Sequence, residues 1–148
     1  MFESPFTRPA WLGLLARSDA QTLSACLENA PPLPRYSPLR GPEIGMCMVR
    51  GRAGGGGAAF NLGEMTLTRC TVRDEAGRIG HGYAKGRDKK QVELIARLDA
   101  VLQDAALYLA YEQPVLLALA RTEQARRDDV AAKAAATDVR FLTLSVMR

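Results

Sequence analysis

Residues 64–88 read EMTLTRCTVRDEAGRIGHGYAKGRD and combine the signals of a hairpin, a sharp bend and a helix start. Two runs rich in β-forming residues flank a short polar turn that contains Gly77, which is typical of a β-hairpin. Gly86 then allows the backbone to bend sharply, and Asp88 can accept the free N–H groups at the start of a helix. The stretch therefore predicts a hairpin that leads directly into a helix.

The segment that follows is the most regular helical pattern in the chain. Asp88 and Gln91 have the spacing of a capping box, so we predict that Gly86, Asp88 and Gln91 have structural roles. Apolar residues then recur at helical spacing, at Leu94, Ile95, Leu98, Val101, Leu102, Ala105 and Leu109. This spacing predicts one unbroken helix of about five turns or more, whose apolar stripe is a main support of the fold.

Three strands are predicted around the hairpin, over residues 43–50, 60–73 and 79–85. In the second, Met65 and Leu67 have the opposite parity to Cys70 and Val72, so we predict a β-bulge near Thr68-Arg69 to bring all four to one side. In the third, large residues alternate with Gly80, Gly82 and Ala84. That small face predicts close approach by a helix or by another chain.

The remaining segments complete a one-domain prediction for residues 1–148, with a helical pair in 1–30 and an α+β core in 31–148. Two short helices precede a proline-rich passage, Asn29 to Pro38, and a second long helix is predicted from Glu123 to Ala136. Val139 to Met147 is predicted as a final strand. The fold class is α+β, an antiparallel sheet of about four to five strands with helices packed on one face.

Composition and charge favour a globular chain with an anionic ligand or partner. The 148 residues are 47% hydrophobic and 24% charged, with a net charge of +4. From Arg50 to Lys90, nine Lys or Arg residues stand against four acidic residues, a local excess of +5. Such a field favours phosphate or an acidic partner, but a solvated sheet edge protected by charge explains it equally well.

The cysteines and the single histidine exclude several kinds of site. Cys26, Cys47 and Cys70 are isolated, so we expect packing roles and no disulfide framework. His81 is the only histidine, so we expect no histidine-based metal site. The N-terminus lacks a signal-peptide pattern, and no apolar run is long enough to span a bilayer. We therefore expect a cytoplasmic protein with no membrane contact.

No motif assigns a catalytic residue. The glycine run 54–57 lacks the G-K-[ST] of a P-loop, and a strand follows it where a dinucleotide fingerprint needs a helix. The candidates for anion binding or for an interface are Arg50, Arg52, Arg69, His81 and Arg87. Each also has a structural interpretation: an arginine can pair with an acid, and the histidine can bond within the sheet.

The amino-acid sequence closely resembles that of the G subunit of the bacterial carbon–phosphorus lyase core complex. The shared segments are 49–55, 60–66, 68–70, 80–83, 86–88 and 141–144. The resemblance implies a subunit that works with the H, I and L subunits to form α-D-ribose 1-methylphosphonate 5-triphosphate from ATP and methylphosphonate, releasing adenine. It also implies a core assembly with the H, I and J subunits, the I subunit being the direct partner, and no cofactor of the chain's own.

Other functions remain as alternatives. One is a stand-alone phosphate- or nucleotide-binding enzyme that uses Arg69, His81 and Arg87, which requires the three side chains to converge on one cleft. We do not expect nucleic-acid binding, because aromatic residues are only 6% of the chain and stacking platforms are scarce. The scaffolding hypothesis further predicts self-association of the isolated chain through exposed apolar surface.

Overall fold

The structure, a computed structural model, describes residues 6–54 and 56–138. Within them, a three-stranded antiparallel sheet of order β1-β2-β3 packs against helices. The elements in chain order are α1 (Arg8–Arg17), α2 (Ala20–Glu28), β1 (Tyr36–Gly51), β2 (Phe60–Asp74), β3 (Ile79–Lys85), α3 (Lys89–Leu102), α4 (Ala105–Tyr111), a π-helical segment (Glu112–Leu117) and α5 (Ala118–Ala136). The α+β class is confirmed.

The prediction of four to five strands is wrong for the described residues, which form three. The predicted last strand, Val139 to Met147, lies outside the described part of the chain. β1 is longer than predicted and begins at Tyr36, inside the proline-rich passage, where Tyr36 pairs with Asp74 of β2. Pro38 is tolerated there because β1 is an edge strand and its missing N–H leaves no ladder bond unmade.

The predicted bulge at Thr68-Arg69 is also wrong. β2 pairs with β3 in continuous register from Leu67 to Arg73, and the register shifts between β1 and β2 fall elsewhere, between Pro38 and Arg40, Arg40 and Glu43, and Val49 and Arg50. The prediction assumed that all apolar residues of β2 share one buried face. Met65 and Leu67 instead lie half-buried on the opposite face from Cys70 and Val72.

α3 packs against all three strands and covers the inner face of the sheet. The small residues of β3 make this possible, because a Cβ at Gly80 would lie 1.8 Å from the carbonyl oxygen of Ala96, and one at Gly82 would lie 2.0 Å from that of Val92. Gly80, Gly82 and Ala84 are buried at this contact. The small face of β3 therefore receives a helix, one of the two occupants that the sequence predicted.

The α3 helix begins as predicted and ends earlier. Asp88 accepts a hydrogen bond from the backbone N–H of Gln91 at 3.0 Å, as an N-cap does, and Gly86 has a positive φ of 103°. The predicted continuation to Leu109 is wrong, because Asp104 caps a new helix by accepting the N–H of Ala106 at 2.9 Å. An aspartate favours a cap over a helix interior, so the apolar stripe spans two helices.

Candidate functional site

The outer face of the sheet, opposite α3, carries the odd-numbered side chains of β2 and β3. Arg69 lies directly across from Tyr83, and Thr71 lies across from His81. Tyr83 is 52% exposed, and His81 is exposed as well. Polar and apolar groups thus share an open surface rather than a closed pocket.

Two of the five candidate residues lie on this outer face and already have partners. The Arg69 Nε donates to Glu43 Oε1 at 2.6 Å. The His81 ring nitrogen Nδ1 lies 3.3 Å from the Thr71 hydroxyl. Both match the structural interpretation of these residues, an ion pair and a hydrogen bond within the sheet.

The other three candidates lie away from that face. Arg50 donates from Nη2 to the carbonyl of Ala59 at 3.4 Å, and Arg52 follows β1 in the exposed glycine-rich loop. Arg87 is exposed on the turn between Gly86 and α3. The convergence that a stand-alone enzyme requires of Arg69, His81 and Arg87 is therefore absent: two share a sheet face, and the third stands beyond the end of β3.

An open cleft of about 870 Å³ lies where α1 and α5 approach the end of β3, and none of the five candidates lines it. Its sheet side is formed by Cys47, Met65, Leu67, Tyr83 and Lys85, and its helical side includes Ala16, Arg17 and Arg126. The lining combines aliphatic side chains with a rim of cations. This composition suits a peptide segment better than a small anion, which requires converging donors.

Glu123 of α5 links three arginines at the helical side of the cleft. Its carboxylate accepts from Arg126 at 2.8 Å and from Arg127 at 3.0 Å, and it lies 3.4 Å from Arg17. The hydrogen bond from Arg126, with that from Arg127, lowers the pKa of Glu123 to about 2. One carboxylate offsets only one of the three arginine charges, so this cluster of four side chains keeps a net charge of +2.

Asp99 of α3 is a buried anchor that the sequence analysis missed. Its side chain is fully buried and accepts from Arg8 Nε at 3.1 Å, Arg8 Nη2 at 2.7 Å, Trp11 Nε1 at 3.0 Å and the His81 backbone N–H at 2.9 Å. The hydrogen bond to Asp99 also raises the pKa of Arg8. Through this one carboxylate, α1, α3 and β3 are held together.

β1 and β2 continue beyond β3 as a two-stranded extension, here called the arm and comprising residues 46–51 and 60–66. β3 pairs with β2 only from Leu67 onward, so the arm has no third strand. Ile44, Met46 and Met48 share one face by strand alternation, and Met46 and Met48 are 69% and 62% exposed. Phe60 and Leu62 are also about half exposed. The arm therefore presents a concentration of apolar side chains to solvent.

The described residues offer no obvious catalytic group. No cluster of three or more His, Cys, Asp or Glu side chains suited to a metal ion occurs among them. Burial raises the pKa of the Cys26 and Cys70 thiols, which disfavours the nucleophilic thiolate. None of the helices in this part of the chain is long and apolar enough to cross a bilayer.

Comparison with known proteins identifies the family. The sequence profile described as "Phosphonate metabolism protein PhnG" matches residues 6–146. The chain belongs to the PhnG family. It is also 43% identical over 131 residues to the alpha-D-ribose 1-methylphosphonate 5-triphosphate synthase subunit PhnG of Rhizobium meliloti (strain 1021), a match that covers 88% of this chain and 83% of the relative. The sequence resemblance to the G subunit is thereby confirmed.

In this PhnG-family chain, the sequence around Asp99 did contain evidence that this residue is a buried hydrogen-bond acceptor. Asp99 stands between the buried residues Leu98 and Ala100, and an aspartate inside an apolar helical stripe must find donors. Gln91 gave no comparable signal of its second role. Its side chain donates to the carbonyl of Ser18 at 2.7 Å rather than back to the cap, so it ties α3 to the end of α1.

Proposed function

We propose that this chain is a scaffolding, non-catalytic subunit of the synthase that makes α-D-ribose 1-methylphosphonate 5-triphosphate from ATP and methylphosphonate. Family membership and the similarity to the Rhizobium meliloti synthase subunit support this proposal. In the reaction, a phosphonate oxygen forms the bond to the anomeric carbon as the bond to adenine breaks. Such a step calls for a group that protonates the departing adenine beside cations that hold the phosphonate, and on the outer sheet face Arg69 is instead paired with Glu43.

The exposed apolar surface of the arm is the main observation that supports a scaffolding role. A two-stranded ribbon is at best marginally stable by itself in water, and one whose apolar side chains are half exposed or more gains stability from being covered. The free end of the arm also carries Arg50 and Arg52, whose positive charge suits an acidic partner surface. The arm is therefore built to be covered by another protein.

We further propose which proteins the chain meets. The arm docks on the I subunit, within an assembly that also holds the H and J subunits and that acts with the accessory L subunit in the cytoplasm. ATP and the phosphonate are substrates of the assembly, and this chain contributes no cofactor of its own. Without its partners, the exposed apolar surface of the arm promotes self-association.

Charging the apolar face of the arm should disrupt assembly. We expect the double variant Met46→Glu/Met48→Glu to reduce co-purification with a tagged I subunit by about tenfold or more, because two carboxylates would be buried without partners. The measurement is the amount of chain recovered with the I subunit after co-expression. Thermal unfolding of the variant alone should match that of the unmodified chain, since both methionines are exposed.

Val130→Glu in α5 is the matched control, because Val130 is 53% exposed and lies outside the arm. We expect this variant to co-purify normally. Equal recovery of the arm variant and the control would contradict docking through the arm.

A further inference from the structure

The cleft between α1, α5 and the sheet carries more positive than negative charge. Arg17, Lys85 and Arg126 line it together with one acidic residue, Asp19. The Asp19 carboxylate already accepts the backbone N–H of Thr22 at 2.7 Å as the cap of α2. The lining therefore attracts carboxylates and repels cations.

The cations of the cleft keep donors for a further carboxylate. Lys85 is exposed and has no ion-pair partner among the described residues. Arg126 donates to Glu123 from Nε and Nη2, but its side chain is 60% exposed, and a guanidinium carries further N–H donors besides these. The contact with Glu123 thus holds Arg126 in place and leaves part of the guanidinium open to a ligand.

Apolar side chains form the sheet side of the same cleft. Met65 and Leu67 are half-buried, and Tyr83 is 52% exposed. Tyrosine and arginine, both present here, are the residue types that contribute strongly at the centres of protein interfaces. These side chains lie on the face of the sheet opposite to Met46 and Met48, so the cleft is a surface separate from the apolar face of the arm.

We propose that this cleft is a second docking surface, which receives a segment of another synthase subunit that carries carboxylates beside aliphatic side chains. The carboxylates bond Lys85 and Arg126, while the aliphatic side chains cover Met65 and Leu67. This docking rests on the proposed function, because it requires the chain to work in an assembly.

Charge argues against two other occupants of the cleft. A second copy of this chain has a net charge of +4, and residues 139–148 of the chain itself include Arg140 and Arg148 but no acidic side chain. Either occupant would bring positive charge to a positive lining. A partner segment with carboxylates is the complementary occupant.

Carbodiimide cross-linking of the co-expressed assembly tests this docking. The reagent couples a lysine amine to a carboxylate that it contacts, so we expect mass spectrometry to find Lys85 joined to an Asp or Glu of the H, I, J or L subunit. Lys133, whose Nζ lies 2.7 Å from Asp129 Oδ2 within α5, is the internal control and should be joined to Asp129.

An assembly in which the control link forms and Lys85 is joined to no other subunit would overturn the cleft proposal alone. A Lys85 link only to a carboxylate of this same chain would overturn it as well, because the chain itself or a second copy would then fill the cleft. If no assembly forms, the proposed function fails and this docking fails with it.

Charge reversal in the cleft provides a second test. We expect the double variant Lys85→Glu/Arg126→Glu to reduce co-purification with the cross-linked subunit by about tenfold or more. Arg121→Glu/Lys133→Glu is the matched control, since it makes the same change of charge at exposed positions of α5 outside the cleft. Equal recovery of the two double variants would overturn docking in the cleft. The cross-link in the unmodified chain decides the question if the cleft variant does not fold.

Discussion

The Gly82→Ala variant is expected to lose about 3 kcal/mol or more of its free energy of unfolding, or to fail to fold. An added Cβ would lie 2.0 Å from the Val92 carbonyl oxygen and 2.9 Å from its carbonyl carbon. These atoms belong to the backbone of α3, so no side-chain rotation relieves the overlap. α3 would have to move away from the sheet and loosen the packing around Ile95 and Val72, both fully buried.

Gly45→Ala is the matched control for this substitution. Gly45 also lies in a strand, its φ is not positive, and a Cβ there meets nothing within 4 Å. Urea unfolding of this variant should stay within about 1 kcal/mol of the unmodified chain. Equal stability of the two alanine variants would show that the backbone of α3 does not lie directly against Gly82.

The second large effect is expected at Asp99. Replacing Asp99 by Asn should cost about 3–5 kcal/mol of unfolding free energy, although the two side chains have the same shape. Both carboxylate oxygens accept from donors, Oδ1 from Arg8 and Trp11 and Oδ2 from Arg8 and the His81 N–H. The asparagine side chain has one oxygen and one NH₂ group, and its NH₂ must replace one of the two carboxylate oxygens. The N–H donors that bonded that oxygen then face another donor in a buried position.

Urea unfolding measures this loss, and Asp128→Asn provides the control. Asp128 lies on exposed α5 and accepts from the exposed Gln124 side chain at 2.8 Å, so its replacement should change stability by about 0.5 kcal/mol or less. A similarly small change for Asp99→Asn would show that the carboxylate does not hold α1 and β3 together.

The features that the sequence predicted correctly depend on residues close together in the chain. The bend at Gly86 and the cap at Asp88 are local, because a positive φ and a carboxylate beside free N–H groups act within a few residues. The small face of β3 is equally local, since strand alternation alone places Gly80 and Gly82 on one side. What packs there was left open between a helix and a second chain.

The predictions that failed required knowledge of which faces are covered. Met65 and Leu67 suggested a bulge only because every apolar residue of β2 was assumed to be buried, whereas the outer face and the arm remain open. Asp104 is a residue that commonly caps helices, and it indicated a new helix start. The apolar spacing continues on both sides of it, however, and this spacing favoured one unbroken helix. Asp99 was missed because its partners, Arg8, Trp11 and His81, are distant in sequence and meet only in the folded chain.

In the candidate site, too, local features were predicted and contacts between distant residues were not. Charge counting identified a basic segment, but the sequence did not indicate that Glu43 holds Arg69 or that Arg87 stands apart from it. The sequence also did not indicate that β1 and β2 extend past the end of β3. This extension is the arm. Register between strands sets the length of the arm, and register depends on all three strands together.

Adenine release from ATP in the presence of methylphosphonate tests the scaffolding role most directly. The isolated chain should release no more adenine than a buffer control, whereas co-expression with the H, I and L subunits should give turnover that is lost when this chain is omitted. Turnover by the isolated chain would contradict a non-catalytic role. Undiminished turnover by the remaining subunits in its absence would contradict the claim that they need it.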